Sequence, residues 1–204
     1  KRVRSLLLLV LLCSGISNIH AQSERYIDPE NTSPNRDGSI SNPWSDFEEV
    51  YWEENATYYV KRNTRLNIDR RIAPQTANVT IDAYGEGDRP VIHATGKFKM
   101  VESVKGNLTV RNLEMKSDDR TAICAISHWF NGSLSVDNCV FHGLEWGIRI
   151  FKTTTRSYIT NTTIYNTWDD GIYTENTNGI TIEGCHIYES NMGYFEGPET
   201  VAGG

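Results

Sequence analysis

Four six-residue segments align when written under one another: residues 110–115 (VRNLEM), 136–141 (VDNCVF), 159–164 (ITNTTI) and 182–187 (IEGCHI). Their first residues are 26, 23 and 23 positions apart. The third position is Asn112, Asn138, Asn161 and Gly184, and the fourth is Leu113, Cys139, Thr162 and Cys185. Nine or ten residues after each third position comes a second short apolar run: AICAI from Ala122, GIRIF from Gly147, GIYTE from Gly171 and GYFEG from Gly193. Apolar and polar residues alternate within these runs, with Gly, Asn and Asp between them. That pattern predicts short strands joined by turns and no helical stripe.

A period of about 23 residues with two or three strands per repeat predicts a solenoid. One coil cannot bury its inner face alone, so successive coils stack as parallel sheets and like positions form rows. The central expectation is that Val110, Val136, Ile159 and Ile182 form one interior row. Cys139 and Cys185 then fall two coils apart, too far to bond at roughly 4.8 Å per coil, and read as core thiols.

Both ends depart from the repeat. The chain opens with Lys1, Arg2 and Arg4, then an apolar run from Leu6 to Leu12, then Ala21 before Gln22. This is the order of a secretory signal peptide, and the run is too short to span a membrane. The reading divides the chain into a signal peptide (1–21), a lead-in with a capping segment (22–77) and stacked coils (78–204). After Gly193 the last coil runs into GPETVAGG with no polar closing element. Solenoids need caps at both ends, so the expectation is the N-terminal part of a longer domain.

Composition narrows the partners. The formal net charge is −6, and loss of the three basic residues before Ala21 takes it to −9. An acidic exported chain argues against nucleic acid and anionic lipid. No second apolar run exists to insert into a membrane, and a secreted monomer, extracellular or periplasmic, is expected. Cys124, Cys139 and Cys185 are too few and too widely spaced for a disulfide framework or a zinc site. Six Asn-x-Ser/Thr triplets (Asn31, Asn55, Asn78, Asn107, Asn131, Asn161) read as by-products of turns rich in these residues.

The coils, the lead-in RYIDPENTSPNRDGSISNPWSDFEEVYW (25–52) and the early coil NVTIDAYGEGDRPVI (78–92) together resemble the right-handed parallel β-helix proteins of the pectate-lyase-like kind. The resemblance covers about 78–197 and the lead-in. It implies an all-β, single-stranded right-handed parallel β-helix with a short N-terminal capping helix over its open end. It also implies an exported protein acting on an extracellular polysaccharide. No particular enzyme family is matched: neither a diagnostic lyase signature nor the paired-aspartate signature of a polygalacturonase is present.

Candidate chemistry follows from the rows. In the stretch IYNTWDDGIYTEN (164–176), Ile172 and Thr174 share inward columns with Ile148 and Ile150, so Tyr173 and Glu175 face outward. Asp169 then stacks on Glu145 of the previous coil and Asn191 of the next. Tyr173 lies between Arg149 and Phe195, and Glu175 stacks on Phe151 beside Lys152. Asp170 belongs to the bend into Gly171, so Asp169 and Asp170 do not act on one atom together. Such a face suits a polymer of sugars: rings meet sugar faces, and cations meet uronate carboxylates. For a lyase, a base removes the proton α to a uronate carboxylate whose charge is neutralised by calcium or a cation. Arg149, Lys152, Asp169 and Glu175 are the catalytic candidates, with Arg156 a further cation. Glu145 and Asp169 can share a calcium through oxygen ligands. For a hydrolase, Glu145/Asp169 or Asp169/Glu175 would supply the two carboxylates. Glu145, Tyr173, Phe195, His128 and Trp129 are the substrate-binding candidates, the last two read as lying in an extra loop of the 26-residue coil. His128, His142 and His186 read as turn or strand-end residues without metal spacing. An epimerase, or a non-catalytic glycan binder or adhesin on the same scaffold, remains the alternative.

Overall fold

The computed structural model describes residues 22–129 and 131–191. The signal segment, Phe130, Phe195 and the rest of 192–204 lie outside the described residues. Three parallel sheets form the walls. Sheet 1 contains β1 (Ser23–Ile27), β2 (Ala56–Lys61), β4 (Val79–Tyr84), β7 (Leu108–Arg111), β10 (Leu134–Asp137), β13 (Ser157–Thr160) and β16 (Ile180–Glu183). Sheet 2 contains β3 (Arg65–Ile68), β5 (Val91–Ala94), β8 (Glu114–Ser117), β11 (Val140–Leu144), β14 (Thr163–Thr167) and β17 (His186–Tyr188). Sheet 3 contains β6 (Lys99–Ser103), β9 (Cys124–Trp129), β12 (Trp146–Phe151) and β15 (Ile172–Glu175). The chain visits the three walls in turn, once per coil. β2 and β3 already pair with β4 and β5, so the solenoid starts one coil before residue 78.

The expected interior row is present. Val110 pairs with Val136, Val136 with Ile159, and Ile159 with Ile182, and Ile81 and Tyr58 extend the row downward. Sheet 2 carries a second row: Leu66, Ile92, Met115, Phe141, Ile164 and Ile187. Val101, Ile126, Ile148 and Ile172 form a third on sheet 3. Burying one such side chain contributes about 1.5–3 kcal/mol. Position along the row decides how much of that is realised: Ile159 is 0 % exposed and Ile182, on the last described coil, 49 %.

The third position of the repeat explains its own sequence. Asn112, Asn138, Asn161 and Gly184 have φ of 61°, 51°, 49° and 63°. This left-handed corner between sheets 1 and 2 tolerates Gly, and Asn better than other side chains. The corner amides are also tied: Asn138 Nδ2 donates to Asn112 Oδ1 at 2.8 Å, and Asn161 Nδ2 to Asp137 Oδ1 at 2.8 Å. Gly147 and Gly171 answer a different demand. A Cβ on Gly147 would sit 2.2 Å from the Gly171 carbonyl oxygen, and one on Gly171 would sit 2.6 Å from Ile187 Cγ2. Only a bare backbone lets these coils approach.

Two expectations change. In place of a capping helix stands a single 3₁₀ turn, Phe47–Glu49, capped by the Asp46 side chain. One turn is too short to hold itself, so apolar packing holds the segment instead: Phe47 is buried and stacks on Trp52, which leans on Tyr58. The extra residues of the longer coil also lie elsewhere than expected. Met115 and Ile126 are 11 positions apart, whereas Phe141 to Ile148 takes 7 and Ile164 to Ile172 takes 8, so the excursion is residues 118–123, before β9.

Candidate functional site

The outer face of sheet 3 is built around Arg149. On β12 it projects outward between the inward Ile148 and Ile150, in register with Ser127 below and Tyr173 above. Its guanidinium carbon lies 4.9 Å from the Trp146 ring centre and 5.0 Å from that of Phe151. Both contacts are cation–π contacts. Tyr173 stands edge-on to Trp146 at 5.3 Å and tilts against Phe151 at 5.5 Å. Trp129 stacks on Phe151 at 4.0 Å and donates Nε1–H to Ser127 Oγ at 2.6 Å. Phe151 is thereby buried although it points outward.

The Arg149 side chain makes no hydrogen bond and no ion pair with any described residue, and its Nε is shielded from solvent without a partner. Other cations behave differently. On the same wall Lys99 and Arg71 both bond Glu102, each at 2.5 Å. On sheet 1, Arg111 donates to Asp82 at 2.6 Å. A guanidinium held between rings with its fork unused is a ready site for a carboxylate.

The acids lie at the corner between sheets 2 and 3. Asp169 N donates to the Glu145 carbonyl at 2.8 Å, and Asn191 N to that of Asp169 at 2.8 Å, so these three residues occupy successive rungs. Partial burial pushes the Asp169 carboxyl above its ordinary range, with the charges of Asp170 and Glu145 adding to the rise and Arg149 opposing it. Lys97 Nζ lies 3.7 Å from the Glu145 carboxylate. Glu175 pairs in register with Phe151 and accepts from the Tyr173 hydroxyl at 3.3 Å. Lys152 is exposed just past β12, in a left-handed conformation, its N–H on the Glu175 carbonyl.

The sequence candidates therefore divide. Arg149, Tyr173 and Glu175 share the face of sheet 3, whereas Glu145 and Asp169 stand at its edge, where the coil bends. Trp129 is a strand residue of that face and not part of a loop. His128 is a correction. It pairs with Ser103 and Ile150 inside the solenoid, is 0 % exposed, and its two nitrogens have no partner. Burial lowers its pKa to about 4. A sealed neutral imidazole cannot touch a polymer outside. His142 lies within β11, and its ring stacks on Tyr165. Cys124 and Cys139 are buried thiols pushed up to about 12 by that burial, and no disulfide joins the three cysteines. Trp146, Lys99, Arg120 and Trp168 were missed; Trp146 and Lys99 open strands β12 and β6, whereas Arg120 and Trp168 sit where the coil turns, outside the strictly repeating positions.

A calcium ion takes six to eight oxygen ligands. Glu145 and Asp169 are two residues, and no group of three or more His, Cys, Asp or Glu able to hold a metal occurs among the described residues. The described side chains fall short of a cage. Away from this face, a cavity of about 740 Å³ opens between residues 46–52 and the first coil. Its Arg70 is paired with Glu48 and Asp69. The sheet 3 site is instead an open face, the shape that accommodates a chain molecule.

Residues 100–197 match the family model described as a right handed beta helix region. The fold is a right-handed parallel β-helix. A solved structure described as "Rhamnogalacturonan lyase" is similar with a TM-score of 0.43 and 12 % identity, over 81 % of this chain and 51 % of that one. The chain thus spans about half the length of that solved chain. No curated protein matches the sequence.

Proposed function

We propose that this chain is part of an exported β-helix protein that holds an acidic polysaccharide on the outer face of sheet 3, and that it acts as a uronate lyase. The observation that carries the reading is Arg149: a guanidinium gripped by Trp146 and Phe151, without a carboxylate partner, beside a corner of acids.

In this reading the uronate carboxylate sits on the Arg149 fork, which neutralises the charge that develops as the adjacent C–H is ionised. Asp169 takes that proton. Partial burial raises its pKa, which makes its carboxylate a stronger base than an ordinary aspartate. The electron pair forms the carbon–carbon double bond, the glycosidic oxygen leaves, and the Tyr173 hydroxyl returns a proton to it. Lys152 and Glu175 border the site and orient sugar hydroxyls.

The test is incubation of the protein with a panel of uronic-acid polymers, followed by the ultraviolet absorbance of unsaturated products. Absorbance that grows with time, and is lost in Asp169→Asn, supports the lyase. Tight binding without product identifies a glycan binder, and reducing ends without absorbance identify a hydrolase.

A further inference from the structure

The excursion at residues 118–123 is the one place in the coils from β7 to β14 where several residues are added between sheets 2 and 3. Its backbone is tightly tied. Thr121 N and Oγ1 both donate to the Asp118 carbonyl, at 3.0 and 2.7 Å. Ala122 N donates to Ser117 Oγ at 3.0 Å. Asp119 and Arg120 are both left-handed, with φ of 51° and 56°, a conformation that L side chains take reluctantly and that concentrates where function holds it. What this backbone delivers is Arg120. Its Nε donates to Asn166 Oδ1 at 3.1 Å, and its guanidinium carbon lies 5.5 Å from the ring centre of Trp168, two coils further on. Neither terminal nitrogen bonds a described residue, and no described carboxylate pairs with it, although Asp118 and Asp119 precede it in sequence. Asp118 instead faces His93 at 3.2 Å.

Trp168 is 47 % exposed and is followed directly by Asp169. Its N–H donates to the Leu144 carbonyl, and the end of the excursion is the rung on which Glu145 and Trp146 rest, through Ala122 and Ile123 carbonyls. Two ring-backed guanidiniums, Arg120 and Arg149, therefore flank the Glu145–Asp169 corner, one on each side.

We infer that Arg120, fixed against Trp168 and Asn166, is a second carboxylate subsite, so that an acidic polymer bends around the corner across the coils instead of running along one wall. This rests on the reading of Arg149 as the first carboxylate site. A guanidinium fixed through Nε and a ring face presents its two terminal nitrogens as a pre-set fork, which suits bidentate recognition of a carboxylate.

The experiment is calorimetric titration of wild type, Arg120→Gln and Arg149→Gln with a uronate dimer, a uronate hexamer and the methyl-esterified hexamer. Thermal melting checks that each variant is folded. The inference expects Arg120→Gln to weaken hexamer binding about 10- to 100-fold, to leave the dimer unaffected, and to leave the weak binding of the ester unaffected. Arg149→Gln weakens dimer and hexamer alike. A folded Arg120→Gln protein that binds hexamer as wild type does overturns the second subsite while leaving Arg149 in place, and equal losses for dimer and hexamer overturn it as a separate subsite. Wild type that binds no uronate oligomer overturns both readings at once.

Discussion

Sheets 2 and 3 both carry aromatic residues on their outer faces, and they use them in opposite ways. On sheet 2, His142, Tyr165 and Tyr188 occupy one register column and stack nearly flat, 4.6 and 5.1 Å apart at 4° and 2°. Their faces are spent on one another, so solvent meets edges. On sheet 3, Tyr173 meets Trp146 at 80° and Phe151 at 46°, and the gap among them holds Arg149. The same rung spacing therefore yields a stacked ladder where planar rings follow one another in a single column, and a pocket for charge where a cation interrupts them. An aromatic surface on a solenoid is not by itself a sugar platform. Ring orientation decides.

The largest predicted difference is catalytic. Arg149→Gln is expected to lower the rate of unsaturated-product formation by about 10²–10³, the cost of losing one preorganised charge stabiliser, with little change in melting. Tyr165→Ala is expected to leave that rate unchanged, and a large rate loss there would break the contrast. The next effect is about 3 kcal/mol and comes from the inner side of sheet 3. His128 has a pKa of about 4 when folded and about 6.5 when unfolded, so the unfolded chain takes up the proton first. Its contribution is intact above pH 6.5 and is lost as the pH falls toward 4. Denaturant titrations at pH 7 and pH 4 measure this loss, and His128→Leu is expected to reduce the difference between them.

Smaller again is the ladder itself. Tyr165→Ala, stacked on both faces, should cost about 2–3 kcal/mol in urea unfolding, of which the ring pairs supply about 0.5–1.5 each beyond area. Tyr188→Ala, at the end of the stack and 38 % exposed, should cost less than half as much. Equal costs would mean that stacking contributes little. The pH profile of the lyase gives the finest distinction. Because Asp169 holds its proton to a higher pH than an ordinary aspartate, the rate should rise with pH through that raised value, and an acid limb at the ordinary aspartate position would remove Asp169 as base.

The interior row, at steps of 26, 23 and 23 residues, and the rung pairs Arg149–Tyr173, Phe151–Glu175 and Glu145–Asp169, each 24 residues apart, follow from the repeat and strand parity alone. Parity would also have placed His128, which shares its phase with Ile126 and Ile150; the polar character of the side chain hid that. Arg120 and Trp168 were not legible, because Arg120 lies among added residues with no counterpart in the neighbouring coils, and its bond to Asn166 reaches 46 residues along the chain. The helical cap failed for a related reason: acidic and aromatic residues at 46–52 are compatible with one turn as well as with a helix, and packing chose the turn.

The most direct measurement is the affinity of the intact protein for a uronate hexamer against its methyl ester, in wild type and Arg149→Gln. If a carboxylate rests on Arg149, the acid binds at least about tenfold more tightly than the ester, and the substitution erases that preference. Equal affinities, or a preference that survives the substitution, would contradict the account.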